Sequence, residues 1–261
     1  IIFDRPKDIT FVIDSMLSAP YIDEFHLHEN VDRGVGVLGH SYGGLTSLLV
    51  APDGILSDSR VKAIMPIAPA VYSADNNFDY LSKVKLPLLV IGGANDTITP
   101  ADPNNIMAFE ETSGLPRWNL VLRDAGHYSF ADLCWIFDAL ESVFNNEDSV
   151  YSLLGGGDVE RGKRLIAGSY CETFDVAQTI LGYYAVAFFQ TMLSLGDDDN
   201  GNEEIVGAKK CMAEQADSFH LATFEFMDNL DDNETKPIQS PTRETISNVT
   251  DSEPTQSPTR G

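Results

Sequence analysis

The sequence predicts an α/β fold, a mostly parallel sheet with helices on both faces. Three observations carry that expectation. Runs of Val, Ile and Leu at 35–38, 61–67, 86–91 and 118–122 are continuous rather than alternating, as in strands buried on both sides. Stretches with helical spacing separate them, the alternation that builds a parallel sheet. The chain has 261 residues, 43% of them apolar, enough to bury a sizeable core.

The elements follow in order. Ile9, Val12, Ile13, Met16 and Leu17 recur at helical spacing over 8–17 and predict one buried face. A short strand at 35–38 ends in a glycine-rich turn, and a helix should occupy 42–50. Strands at 61–67 and 86–91 come next, the latter closing at Gly92-Gly93. A helix over 104–111, a strand over 118–122 and a helix over 130–144 complete the alternation. Gly155-Gly156-Gly157 predicts a long, mobile connection, and it lacks the Lys-Ser/Thr of a phosphate-binding loop. Residues 168–195 return to helical, apolar character. Within them, 180–195 reads as a buried helix, and no run reaches the roughly 18 uninterrupted apolar residues of an ordinary transmembrane segment. The expected organisation is one α/β domain over 1–230, with its core at 5–145 and a helical part at 165–230. A disordered acidic tail rich in Ser, Thr and Pro follows over 231–261, where QSPTR occurs twice.

Composition narrows the function. Seventeen Lys and Arg face 40 Asp and Glu, a net charge of −23. Such a chain is a poor partner for nucleic acid or an anionic membrane surface, both of which call for basic patches. Cys134, Cys171 and Cys211 show no metal-binding spacing and fit either one disulfide with one free thiol or three buried thiols. With the sequons at Asn233 and Asn248 they give a mild lean toward export.

The sharpest signal is Gly39-His40-Ser41-Tyr42-Gly43-Gly44, between a strand and a helix. This is a G-x-S-x-G nucleophile elbow in its required setting. A tight turn holds Ser41 in a strained backbone state, and glycines at 39 and 43 leave room for the neighbouring strand and helix. The Tyr42 N–H then faces a developing oxyanion. A serine nucleophile needs a base, and the base an orienting carboxylate. Asp96 sits in a loop just after the third strand, with Asp102 its nearest competitor. His127 follows the fourth strand, completing the order Ser, acid, His. His26 and His28 precede the nucleophile, His40 adjoins it, and His220 lies in the acidic C-terminal region.

At these residues the chain resembles the α/β-hydrolase superfamily. It is similar to platelet-activating-factor acetylhydrolase-like and dienelactone-hydrolase-like esterases and to cutinase-type polyester hydrolases. The matching stretches are RPKDITFVIDSML (5–17), GHSYGG (39–44), KAIMPIAPA (62–70), PLLVIGGANDTITP (87–100) and AGHYSFADLC (125–134). The resemblance implies Ser41 as nucleophile, Asp96 as acid and His127 as base, with Tyr42 as oxyanion donor and His40, Ala70 and Tyr72 along the substrate cleft. Ala70 stands where polyester hydrolases carry a Trp, and Tyr42 follows the Ser where chlorophyllases carry an Arg. The family's second oxyanion donor lies upstream of the helix matching 9–17. The resemblance therefore implies that this donor and the N-terminal strands are missing from the chain, leaving its first strand as an exposed edge.

The implied activity is hydrolysis of short-chain or small acyl esters through an acyl-enzyme, with no metal or organic cofactor. The expected partner is a small-molecule or lipid ester, with no nucleic acid; the oligomeric state is open. Alternatives are a lipase- or cutinase-like polyester hydrolase, a chlorophyllase-like esterase, a lactone hydrolase, and a noncatalytic binding protein on the same fold.

Overall fold

The computed structural model describes residues 4–18, 34–51, 56–71, 78–144, 146–167, 173–194 and 201–228. Tyr72, Cys171, both sequons and the segment 231–261 lie outside them. Five strands form one sheet in the order β1 (Val35–His40), β2 (Val61–Ile67), β3 (Leu88–Gly93), β4 (Arg117–Leu122), β5 (Leu221–Met227). The first four are parallel, and β5 runs antiparallel to β4. Eight α-helices are described: α1 (Arg5–Ser18), α2 (Tyr42–Val50), α3 (Ala101–Glu110), α4 (Leu133–Phe144), α5 (Glu147–Leu154), α6 (Val159–Ala167), α7 (Phe174–Ser194) and α8 (Gly201–Ser218).

The continuous apolar strands are explained by two cores, one on each face. Ala63, Met65, Ile67, Leu89, Ile91, Trp118 and Leu120 point to one side, against Ile180, Tyr184 and Phe188 of α7 and Met212 of α8. Ile64, Leu88 and Val90 point to the other, against Ile13 of α1, Leu48 of α2 and Phe109 of α3. Successive side chains of one strand thus enter opposite cores. The polar Asn119 of β4 is buried only with a partner, its Nδ2 donating to Glu225 of β5 at 2.6 Å. Trp118 is fully buried and meets Phe188 edge-on, with ring centroids 5.8 Å apart.

Several local expectations are corrected. In α1 the core side is narrower than the pattern implies: Ile13 is buried and Ile9 and Leu17 pack beside it, whereas Val12 and Met16 are about half exposed. The helix expected over 130–144 begins at Leu133, because Ala131 is extended (φ −137°, ψ 155°) and separates it from a 3-10 turn at His127–Phe130. The triple glycine is no long connection. It forms a tight turn between α5 and α6, with Gly156 and Gly157 at φ +66° and +98°, where Cβ-bearing residues are strained. The region 165–230 is not helical throughout, since it supplies β5 to the sheet. Three buried thiols are also ruled out, because Cys211 is exposed and free.

Helix α7 is long and apolar enough over Phe174–Leu193 to span a membrane by length and composition alone. Its Ala177, Ile180, Tyr184, Phe188 and Met192, spaced three or four apart, are buried in the sheet-facing core, as in a core helix. At the other side of the sheet, β1 has β2 as its one described neighbour, and Leu38 is 56% exposed there.

Candidate active site

The parallel strands all end on one edge of the sheet, the edge where open α/β folds place their chemistry. Ser41 follows β1, Asp96 follows β3 and His127 follows β4. Ser41 has φ 58° and ψ −118°, a sparsely populated state for a non-glycine residue. Three backbone bonds hold it there. The Ser41 N–H donates to Ile67 O (2.9 Å), and the Ser41 carbonyl accepts from the N–H of Leu45 (3.1 Å) and Ala70 (3.2 Å). The turn is also sterically determined. A Cβ on Gly39 would overlap the Gly43 carbonyl, and one on Gly44 would come within 3.0 Å of Pro69 Cα. Gly43 faces open space, so the second close approach falls on Gly44 rather than on the expected Gly43.

The three side chains meet. His127 Nε2 lies 3.0 Å from Ser41 Oγ, and His127 Nδ1 lies 2.8 Å from Asp96 Oδ2. Asp96 and His127 are 4% and 3% exposed, so water competes little for this contact. The other carboxylate oxygen of Asp96 accepts the N–H groups of Ile98 and Thr99, each at 2.8 Å. These bonds stabilise an ionised carboxylate and aim its second oxygen at the imidazole. Asp102 is exposed on the kinked first turn of α3, outside this cluster. His220 sits in the turn before β5, and His26 and His28 lie outside the described residues.

Two expected cleft residues have other places. His40 backs the site: its Nε2–H donates to the His127 carbonyl at 2.8 Å, and the two rings lie 4.6 Å apart. Ala70 is 2% exposed and acts through its backbone N–H on Ser41. Tyr42 remains as aromatic surface, 46% exposed, with the Arg5 guanidinium 5.7 Å from its ring centroid.

Sequence reasoning missed the residues that hold the His127 turn. The fully buried Ser129 accepts the Gly126 N–H on its hydroxyl (3.0 Å), and Gln178 of α7 donates to the Ser129 carbonyl (3.0 Å). The Ser129 contact is local, a serine three residues after Gly126 reaching back to its N–H, and that spacing is the one signal the sequence held; the Gln178 partner, 49 residues away, is known only once the chain has folded. Among the described residues no group of three or more His, Cys, Asp or Glu could hold a metal ion.

The model of the PET hydrolase-like family matches residues 4–134, half of the chain and the part that carries β1 to β4, Ser41, Asp96 and His127. The chain belongs to this family. No curated protein matches it. Membership in the PET hydrolase-like family makes the chain an ester hydrolase of the serine esterase class on the α/β-hydrolase fold. After the matched residues the chain continues through helices α4 to α6, in which Trp135, Val143 and Leu153 are exposed, before α7 packs on the sheet.

The burial of His40 gives a prediction for pH. Desolvation, with a smaller contribution from nearby His127, lowers its pKa from 6.5 to about 4. Well above pH 6.5 the ring is neutral in both folded and unfolded chains. As pH falls toward 4, the unfolded chain takes up a proton that the folded chain refuses, so stability is lost across that window. The loss is on the order of 2 kcal/mol, allowing for partial solvent contact. Urea unfolding at about pH 7 and about pH 4.5 measures it, and His40→Gln should show a smaller drop than the unsubstituted protein. An equal drop in both would show that His40 does not set this dependence.

Proposed function

We propose that the chain is a serine carboxylic-ester hydrolase acting through an acyl-enzyme on short-chain or small acyl esters. The observation that carries this reading is the unbroken contact from Ser41 Oγ through the two nitrogens of His127 to Asp96 Oδ2, at 3.0 and 2.8 Å. His127 takes the Ser41 proton on Nε2 as Ser41 Oγ bonds to the ester carbonyl carbon. Asp96 holds the Nδ1–H tautomer and stabilises the imidazolium. The Tyr42 N–H, at the start of α2, donates to the carbonyl oxygen as it becomes an oxyanion. His127 then gives its proton to the leaving alcohol oxygen as the C–O bond breaks. In the second half a water loses a proton to His127 and attacks the acyl carbon. His127 returns that proton to Ser41 Oγ as the acid product departs.

The preference for small esters is supported by the side chains around the nucleophile: position 70 carries a buried alanine and no aromatic ring, and Tyr42 is the exposed ring beside Ser41. A second reading, hydrolysis of a polyester, is favoured by the family match itself. A panel of p-nitrophenyl esters of rising acyl length, run beside a polyester film, separates the two. The first reading expects kcat/KM to fall by about tenfold or more once the acyl chain outgrows about four carbons, with little release from film. A rate optimum on long acyl chains, or sustained release from film, would favour the second.

A further inference from the structure

Thr99 is a polar side chain in direct contact with both Asp96 and His127 that the reaction above leaves without a role. It is 6% exposed. Its Oγ1 lies 2.9 Å from His127 Nδ1, 3.0 Å from Asp96 Oδ2 and 3.0 Å from the Ala68 carbonyl. One hydroxyl has one proton, so it donates to only one of the two oxygens. Asp96 is already well supplied, with two backbone N–H groups on Oδ1 and the His127 Nδ1–H on Oδ2. The Ala68 carbonyl is in a different situation. Ala68 is fully buried just past β2, in the left-handed region at φ +41°, and a buried carbonyl calls for a donor. The proton therefore belongs on Ala68 O. The Oγ1 lone pairs are then left facing the His127 Nδ1–H, which is shared between Thr99 and Asp96.

We propose that Thr99 is a positioning residue for ester hydrolysis, the second acceptor of the His127 Nδ1–H and the tie between the Asp96–His127 pair and the end of β2. This rests on the reading of Ser41, His127 and Asp96 as nucleophile, base and acid. The tie reaches both halves of the machinery. Ala68 is two residues before Ala70, whose N–H holds the strained Ser41 carbonyl at 3.2 Å. One short segment, 68–70, is thus bonded to the nucleophile at one end and, through Thr99, to the base at the other. Two acceptors on Nδ1–H also restrict rotation of the ring and favour the imidazolium that forms in each half-reaction. The other titratable groups facing the ring are Asp96, Tyr128 from its own turn (ring centroids 5.1 Å apart) and His40 from β1, which stays neutral. Helix α7 packs on this turn through the uncharged Gln178.

Thr99→Val keeps the shape and removes the hydroxyl. It is expected to lower kcat about tenfold with KM nearly unchanged, and to move the acidic limb of kcat/KM about half a pH unit lower, because the imidazolium loses an acceptor. Thr99→Ser should restore both. Thr99→Ala should repeat the loss and serves as a second variant should valine impair folding, which circular dichroism would reveal. A wild-type kcat and acidic limb in the hydroxyl-free variants would overturn the proposal, as would a limb that moves upward, which places the proton on Asp96 instead. Ser41→Ala is run alongside. Activity retained there would overturn the underlying reading, whereas loss there with unaltered Thr99 variants overturns the role of Thr99 alone.

Discussion

Replacing Ser41 with alanine is expected to lower kcat for ester hydrolysis by at least about a thousandfold and to leave the fold intact. The size follows from the chemistry. Without Oγ there is no atom to form the acyl-enzyme, and what survives is the contribution of substrate binding and of the oxyanion donor. The fold should survive because the strained backbone at 41 is held by main-chain bonds to Ile67, Leu45 and Ala70, none of which uses the side chain. Alanine also accommodates φ 58° no worse than serine does, since both carry a Cβ. Steady-state kinetics with a p-nitrophenyl ester, together with near- and far-ultraviolet circular dichroism, test both halves. A variant that keeps its fold and more than about a tenth of the rate would contradict the assignment.

Asp96→Asn is expected to cost about a thousandfold or more in kcat while KM changes little. The substitution preserves volume but alters what the site offers. The carboxylate oxygen 2.8 Å from His127 Nδ1 accepts a hydrogen bond, and the opposite oxygen accepts two backbone N–H groups. The amide oxygen of asparagine is drawn to those two donors, which turns the NH2 group toward the imidazole. Nδ1 must then act as acceptor, and the proton moves to Nε2, where it cannot receive the Ser41 proton. The missing negative charge also leaves the buried imidazolium without compensation. Kinetics at rising pH provide the check: partial recovery at high pH, where an alkoxide forms without help, fits this account. A rate within tenfold of the unsubstituted protein near neutral pH would not.

How much of this was legible in the sequence differs from element to element. β2 and α2 stand where the sequence places them, because their apolar runs are long, are bounded by polar or glycine-rich turns, and are buried nearly throughout. β3 is displaced by two residues: Gly92 and Gly93 read as a stop, yet they pair with Val121 and Leu122 of β4. Glycine marks a turn in the sequence, but here it marks close approach, since a Cβ on Gly93 would overlap the Ala125 carbonyl beside the His127 turn. β5 was hidden in a stretch that reads as helical. A register shift at Val121/Leu122 buries Leu221 and Phe224, three apart, in place of the strict alternation that announces a strand.

At the site, Ser41, Asp96 and His127 were legible because a nucleophile elbow, a carboxylate and a histidine each occupy a strand end in a set order. His40 was legible as a residue but not in its place, since sequence adjacency to Ser41 suggests the cleft while the side chain turns behind His127. Thr99, Ser129 and Gln178 carry no motif. Ser129 bonds to Gly126 within its own turn, whereas Thr99 reaches Ala68 and Gln178 reaches Ser129 only because the packing of separate elements brings them together.

The most direct measurement of the central claim is covalent capture of the nucleophile. The folded protein is incubated with a fluorophosphonate, digested, and mapped by mass spectrometry. The account predicts one phosphonylated residue, Ser41, with labelling abolished in Ser41→Ala and strongly slowed in Asp96→Asn. Labelling at another serine, or no labelling of a folded protein that hydrolyses esters, would contradict it.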